Sequence, residues 1–172
     1  MRTIVIQFTT LDGVTEDPEA WAFRYGPEAV GGDKFRLGAT LEDGCLLFGR
    51  RTWEHFARLW PARDDPFARR MNAARKLVAT RSDLDVSAWS ASSVVGSPVE
   101  AVRASDRDVV VVGSASVVAQ LAAEDLVDEY RLLVFPTVRG EGYRLLGDVG
   151  PTDLRLVSAA ANGPVVLLTY ER

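Results

Sequence analysis

The sequence predicts an α/β fold: a mostly parallel sheet covered by helices on both faces and finished by antiparallel strands at the C-terminal end. Three observations carry this. Short apolar runs alternate with helical stretches from Cys45 to Ala123, which is the pattern of strands joined by crossover helices. The run Asp108-Val109-Val110-Val111-Val112 is β-branched on both faces, as a strand between two layers of helix must be. Three further strand-like runs close the chain without helices long enough to cross over between them.

Residues 2–8 alternate, with Ile4, Ile6 and Phe8 on one side and Thr3, Val5 and Gln7 on the other, which is the period of a strand. Residues 9–27 contain Asp12-Gly13, Asp17-Pro18 and Gly26-Pro27, punctuation that prevents a regular element of any length. Within them Trp21, Phe23 and Tyr25 recur at every second position and must cover something, so the stretch reads as a functional loop. Residues 33–41 are expected to form a helix bearing Phe35, Leu37 and Leu41, weakened by Gly38. A wholly apolar strand at 45–48 passes into an amphipathic helix at 50–59, with Trp53, Phe56 and Trp60 at helical spacing. A helix at 66–74 and strands at 76–80 and 92–95 follow. Ser97-Pro98 opens a helix at 99–104 with a cap residue and a first-turn proline. The strand 108–112 leads through Gly113-Ser114-Ala115-Ser116 into a helix at 117–123, and the closing strands are 129–135, 154–160 and 165–171.

With 172 residues, 47% of them hydrophobic, the chain is expected to be a single domain spanning 1–172, whose core needs neither disulfide nor metal. One cysteine and one histidine exclude an internal disulfide and a Cys/His zinc site, and no metal is expected. Cys45, in a buried strand, reads as a small core hydrophobe, and His55 as a surface or pocket-rim residue. The short apolar run at the N-terminus and the lack of a membrane-length apolar stretch predict a cytoplasmic protein with no membrane partner. A net charge of −4 argues against a nucleic-acid partner. All basic residues except Lys34 and Lys76 are arginines; with the many Ala and Val this fits genomic base composition, although Arg is also the better phosphate binder.

Gly49-Arg50-Arg51-Thr52 sits where a buried strand becomes a helix, so free backbone N–H groups and the positive helix end face the carboxyl edge of the sheet. Gly113-Ser114-Ala115-Ser116 repeats the arrangement and adds two hydroxyls. One such turn alone is equally the ordinary helix start of any α/β connection. Two of them on parallel strands can face each other and hold the two halves of a pyrophosphate, which points to a dinucleotide. Neither matches G-x-G-x-x-G or the P-loop, which disfavours a standard Rossmann domain and a P-loop NTPase. Thr80-Arg81-Ser82, at a third strand end, suits a phosphomonoester; with Arg50 it could hold the adenosine 2′-phosphate that separates NADPH from NADH. The plain alternative makes Arg81 a solvated loop charge.

Leu47-Phe48-Gly49-Arg50-Arg51-Thr52-Trp53-Glu54, Arg75-Lys76 through Thr80-Arg81-Ser82, Val111-Val112-Gly113-Ser114 and Asp125-Leu126-Val127-Asp128-Glu129-Tyr130-Arg131-Leu132 resemble the bacterial dihydrofolate reductase-like family. That family includes the reductase domain of riboflavin biosynthesis. Leu11-Asp12-Gly13, Asp65-Pro66-Phe67 with Met71-Asn72, and Val134-Phe135-Pro136 before Gly140 and Gly142 extend the resemblance over essentially the whole chain. It implies a dihydrofolate reductase-like mixed sheet of about eight strands flanked by helices, NADPH bound across the strand ends, and hydride transfer to a conjugated C=N or carbonyl of a heterocycle. Carried over by position, it implies cofactor binding by Gly49, Arg51, Thr52, Ser114, Ala115 and Ser116 around the pyrophosphate, and by Arg50, Thr80, Arg81 and Ser82 around the 2′-phosphate. Gly113 would lie against the nicotinamide. The implied function is an NADPH-dependent reductase of a small heterocyclic substrate, of the 5-amino-6-(5-phosphoribosylamino)uracil reductase type. Its rivals are a dihydrofolate or pteridine reductase and a non-catalytic NADPH-binding or sensor protein.

A hydride transfer of this kind needs a proton donor, and the two candidates near the end of the first strand are Asp33 and Asp12. Asp33 is the candidate counterpart of the carboxylate that dihydrofolate reductases carry before the Gly-Arg-x-Thr motif, with a helix N-cap as the plain alternative. Asp12 lies in the loop that should close over the nicotinamide, or stabilises a turn with Gly13. A carboxyl partly desolvated there by Trp21 and Phe23 is expected to have a raised pKa. Trp21, Phe23 and Tyr25 either floor an aromatic substrate pocket or pack the loop onto the sheet. A homodimer is expected through residues 130–138, where Leu132, Val134 and Pro136 alternate with Leu133 and Phe135 in a late strand placed at the sheet edge.

Overall fold

A computed structural model describes residues 1–147 and 149–172. The strands are β1 (Thr3–Thr10), β2 (Cys45–Gly49), β3 (Arg75–Ala79), β4 (Ser92–Val95), β5 (Val109–Val112), β6 (Glu129–Phe135), β7 (Arg155–Asn162) and β8 (Val165–Glu171). They form one eight-stranded sheet in the order β4-β3-β2-β5-β1-β6-β8-β7. From β4 to β6 every pairing is parallel, and β8 and β7 close the sheet as an antiparallel hairpin. The α/β class, the mixed sheet and the C-terminal hairpin are those the sequence predicts. Among the described residues no helix is long and apolar enough to cross a membrane.

Alternation along the parallel strands sends side chains into two cores. On one face α3 (Arg50–Leu59) and α4 (Pro66–Ala73) lay Trp53 and Met71 against Ile4, Ile6, Leu46, Phe48, Val78 and Val110. On the other, α5 (Pro98–Arg103) and α6 (Ala115–Ala123) lay Val102, Val117, Val118 and Leu121 against Val5, Leu47, Leu77, Val109 and Val111. Fully burying an aliphatic side chain is worth roughly 1.5–3 kcal/mol, so these two layers hold the sheet and fix which helix lies on which face. Cys45 is buried in the second core, as expected of a small hydrophobe.

Residues 33–41 do not form the expected helix. Two short helices, α1 (Pro27–Val30) and α2 (Thr40–Asp43), flank a turn in which Arg36 adopts a left-handed φ of 54°. The cause is Asp33, whose two carboxylate oxygens accept the Leu37 N–H at 2.7 Å and the Gly38 N–H at 2.8 Å, so the chain curls around the side chain. Arg131 fastens the curl to β6 by donating to the carbonyls of Phe35 at 2.6 Å and Arg36 at 3.1 Å. A second expectation is corrected as well: β6 is not a sheet edge. It lies between β1 and β8, and the outer strand is β7, whose Leu156 and Val157 stay exposed, as does Val166 of β8. An apolar run on both faces marks an interior strand here, because the C-terminal hairpin adds two strands beyond it.

Lys76 is fully buried in β3. Its ammonium donates to the carbonyls of Ala74 at 2.6 Å, Asn72 at 3.0 Å and Ser90 at 3.0 Å and lies 4.6 Å from the centre of the Trp89 ring. Burial pulls its pKa down to about 8. The side chain gathers the end of α4 and the segment before β4 around one cation, and Trp89 adds its own N–H to Asn72 Oδ1 at 2.8 Å. Lys76→Met should therefore cost about 3 kcal/mol in urea unfolding, because it strips carbonyls of a charged donor. A loss below about 1 kcal/mol would mean that those carbonyls find other donors.

Candidate functional site

The strand order turns at β2 and β5. These neighbours run parallel with Leu47 opposite Val111, yet their following helices leave to opposite faces, α3 to one core and α6 to the other. The two helix N-termini therefore converge at the carboxyl edge of the sheet, the place where open α/β sheets take ligands. The Gly49 N–H donates to Ser114 Oγ at 2.9 Å, that hydroxyl donates to the Val112 carbonyl at 3.2 Å, and the Thr52 hydroxyl donates to the Gly113 carbonyl at 3.3 Å. Gly113 turns the chain with φ of 61°, a conformation that a side chain would strain.

Capping separates these helices from their neighbours. Asp65 caps α4 by accepting the Ala68 N–H, and Ser97 caps α5 by accepting the Glu100 N–H. At α3 and α6 the cap residues, Gly49 and Ser114, provide no side-chain acceptor to the first turn. The first-turn N–H groups around Arg51, Thr52, Ala115 and Ser116 are left for an external acceptor, and the helix ends favour an anion.

The end of β3 joins the same edge. Arg50 donates to Ser82 Oγ at 2.7 Å and to Glu54 Oε1 at 2.8 Å, while the Thr80 and Ser82 hydroxyls lie 3.2 Å apart. Arg51 and Arg81 are exposed and have no ion-pair partner among the described residues. The structure thus assembles 49–52, 80–82 and 113–116 along one edge: two uncapped helix starts and, beside them, a cluster of guanidinium and hydroxyl groups. This arrangement can hold a diphosphate and a separate phosphomonoester.

Asp12 and Asp33 are both spent on backbone. Asp12 accepts the Thr10 hydroxyl at 2.6 Å and the N–H groups of Gly140 at 2.8 Å and Arg139 at 3.2 Å. The Thr10 hydroxyl bond above all, with the Gly140 N–H, lowers its pKa from the ordinary 3.8 to about 2, the reverse of the raised value expected for Asp12. It is a clamp between the end of β1 and the loop at 137–144. Asp33 has both oxygens in the curl at 33–38 already described. The three loop aromatics part ways. Trp21 is buried with its ring 5.3 Å from Phe135, Tyr25 lies 5.6 Å from Phe135 and donates its hydroxyl to the Pro136 carbonyl, and Phe23 points outward with 53% of its surface exposed. Packing of the loop onto β6 is thus the work of Trp21 and Tyr25.

Two features escaped the sequence reading. His55 Nε2 lies 3.0 Å from Glu19 Oε1, so the lone histidine joins the long loop to α3. Nothing in the sequence couples residues in these two elements. Gln7 is buried in β1 at the level of this edge, and its side-chain carbonyl has no hydrogen-bond donor among the described residues. The only signal for it is a long polar side chain inside a strand that turns out to be covered on both faces.

A family model described as the RibD C-terminal domain matches residues 2–168. No curated protein matches the chain by sequence. Among solved structures, a protein of Shewanella sp. PV-4 assigned to riboflavin biosynthesis superposes with a TM-score of 0.77 at 20% identity, over 100% of this chain and 99% of that one. A pyrimidine reductase-like protein of Corynebacterium diphtheriae superposes with a TM-score of 0.64 at 12% identity, over 99% of this chain and 91% of that one. At these identities the two structures share the fold with this chain.

The Asp12 clamp makes a pH-dependent prediction. A carboxyl whose folded pKa lies below its unfolded one adds stability above the unfolded value and loses it as pH falls towards the folded one, here from the ordinary 3.8 down to about 2. Asp12→Asn should be less stable than the wild type at neutral pH and should lose less stability on acidification from about pH 5 to about pH 2. Parallel losses in thermal melts of the two proteins would show that the clamp is not what titrates.

Proposed function

The chain belongs to the RibD C-terminal domain family, and from that premise we propose that it is an NADPH-dependent reductase of a small heterocycle, of the pyrimidine reductase type. The observation that carries the reading is the pair of uncapped helix N-termini tied together by the Gly49–Ser114 hydrogen bond, with Arg50, Arg81 and Ser82 beside them. In this reading the first turns of α3 and α6, with Thr52 and Ser116, bind the cofactor pyrophosphate. Arg50, Arg81, Thr80 and Ser82 bind the 2′-phosphate, and Gly113 gives a flat ring room to lie against the sheet edge. The bound nicotinamide supplies a hydride. That hydride adds to the carbon of a substrate C=N or C=O, the displaced electron pair settles on nitrogen or oxygen, and that atom takes a proton. Because Asp12 and Asp33 hold backbone N–H groups on both oxygens, the proton comes from water in this proposal, and the two carboxylates keep the loops in place. The pyrimidine substrate class is supported by the neighbour described as pyrimidine reductase-like.

The engaged carboxylates equally suit a protein that binds the cofactor without turnover. Oxidation of NADPH in the presence of a reducible aminopyrimidine or pteridine separates the two readings. We further propose that the active form is a homodimer, joined by the exposed apolar side of the β7–β8 hairpin. Val166 lies there between Val134 of β6 and Ala161 of β7, and Leu156 and Val157 are exposed at the other end of β7. A second copy of the same face would cover this surface and extend the core.

Two outcomes test these proposals. The wild type should bind NADPH more tightly than NADH, and Arg81→Ala should weaken NADPH about tenfold while leaving NADH nearly unchanged, the size expected of one charge-assisted phosphate contact. Equal affinities of the wild type for the two cofactors would sink the 2′-phosphate assignment. By light scattering the wild type should have twice the 18.8 kDa of one chain, and Val166→Arg should have the mass of a single chain. An unchanged dimer in that variant would move the interface elsewhere.

A further inference from the structure

Gln7 is 4% exposed in the middle of an otherwise complete strand. Alternation places it with Val5, which packs in the core of α6, and away from Ile6 and Phe8, which face α3 and the long loop. Ile6 pairs with Val112 and accepts the Gly113 N–H on its carbonyl at 3.3 Å, so Gln7 stands next to the Gly113 turn on the α6 side. Its Oε1 is shut off from solvent and accepts no hydrogen bond from the described residues. The nearby hydroxyls have none to give: Thr9 donates to the Thr10 carbonyl at 3.1 Å, and Ser114 donates to the Val112 carbonyl at 3.2 Å. A buried carbonyl without a donor is costly, so its presence calls for something that completes it.

The missing donor must arrive at the Gly113 turn, on the α6 side of β1. We infer that Gln7 recognises the nicotinamide carboxamide, its Oε1 accepting one carboxamide N–H, and so fixes how the ring lies against Gly113. The amide is the one part of the ring system that carries two N–H donors in the plane of the ring, matching an acceptor buried beside a glycine turn. The inference rests on the nicotinamide reading of the site given above. It adds a residue specific for the reactive end of the cofactor, whereas the helix ends and arginines read only its phosphates.

The test uses three probes: NADPH, its 3-acetylpyridine analogue, which has a methyl group in place of the amide NH2, and adenosine 2′,5′-bisphosphate, which has no nicotinamide ring. The wild type should prefer NADPH over the acetylpyridine analogue by about tenfold, the cost of leaving a buried acceptor unpaired. Gln7→Met, close in shape and without the carbonyl, should abolish that preference and change the affinity for the bisphosphate by less than about twofold. The ligand-free variant should also melt above the wild type, since an orphan polar atom has been removed; Gln7→Leu provides the same comparison should the methionine pack poorly. Retention of the preference in a folded variant, or its absence in the wild type, would overturn the inference while leaving the cofactor reading intact. If neither NADPH nor the bisphosphate binds the wild type, the cofactor reading itself fails, and this inference with it.

Discussion

The structure depends on the adjacency of β2 and β5. Parallel strands must return through crossovers, and two neighbouring strands whose crossovers leave to opposite faces cannot cover the edge between them. Here that leaves the N-termini of α3 and α6 side by side, each carrying roughly half a positive charge. Two such ends repel in the absence of an anion. The Ser114 hydroxyl offsets part of this by accepting the Gly49 N–H, but no carboxylate or hydroxyl cap neutralises the first turn of either helix. The first turns of α4 and α5, in contrast, are met by the Asp65 and Ser97 side chains.

The mouth of the site is built by carboxylates acting on backbone. Asp12 holds the 137–144 loop to the end of β1, and Arg144 reaches back to the Asp12 carbonyl. Asp33 shapes the turn that Arg131 then ties to β6, and Glu129 holds Arg131 and Arg2 in turn. At the opposite, amino edge of the sheet the Asp128 side chain accepts the Thr3 N–H at 2.6 Å, locking β6 to the start of β1. Acidic groups near a site invite assignment as acids or bases, yet hydrogen bonds to an ionised carboxylate stabilise the charged form, so that it is a weaker base and holds no proton to give a substrate near neutral pH. Geometry therefore favours positioning over proton transfer for both aspartates.

Much of this was legible in the sequence, and what was not has identifiable causes. Periodicity located the strands and the longer helices because burial on one or both faces imposes it, and the Gly49 and Gly113 turns stood out because strand-to-helix transitions at the carboxyl edge have few ways to turn. The segment 33–41 misled because its apolar spacing suits a helix, while the deciding contact is one side chain capturing the Leu37 and Gly38 N–H groups, which periodicity does not register. The position of β6 misled because a two-sided apolar strand reads alike in the interior and at an interface. The Lys76 site depends on carbonyls from 72, 74 and 90 converging, and the His55–Glu19 contact joins residues with no sequence relation.

Buried polar groups show where the fold is complete in itself. Lys76, in the first half of β3, is costlier to bury than an amide, and it is met by three carbonyls and an aromatic face. Gln7, at the level of the carboxyl edge, is a smaller burden and its carbonyl is met by no donor among the described residues. The other orphan among the described residues is the Trp60 N–H, which sits among the Phe56 and Phe67 rings, whose faces are weak acceptors. Packing forces alone would remove an unpaired amide from a strand where Leu or Val fits, at no cost to the backbone ladder. The persistence of Gln7 at the edge where two helices also lack caps makes it one more unsatisfied group on that edge, and all of them call for the same kind of visitor: a polar, anionic ligand that carries N–H donors of its own.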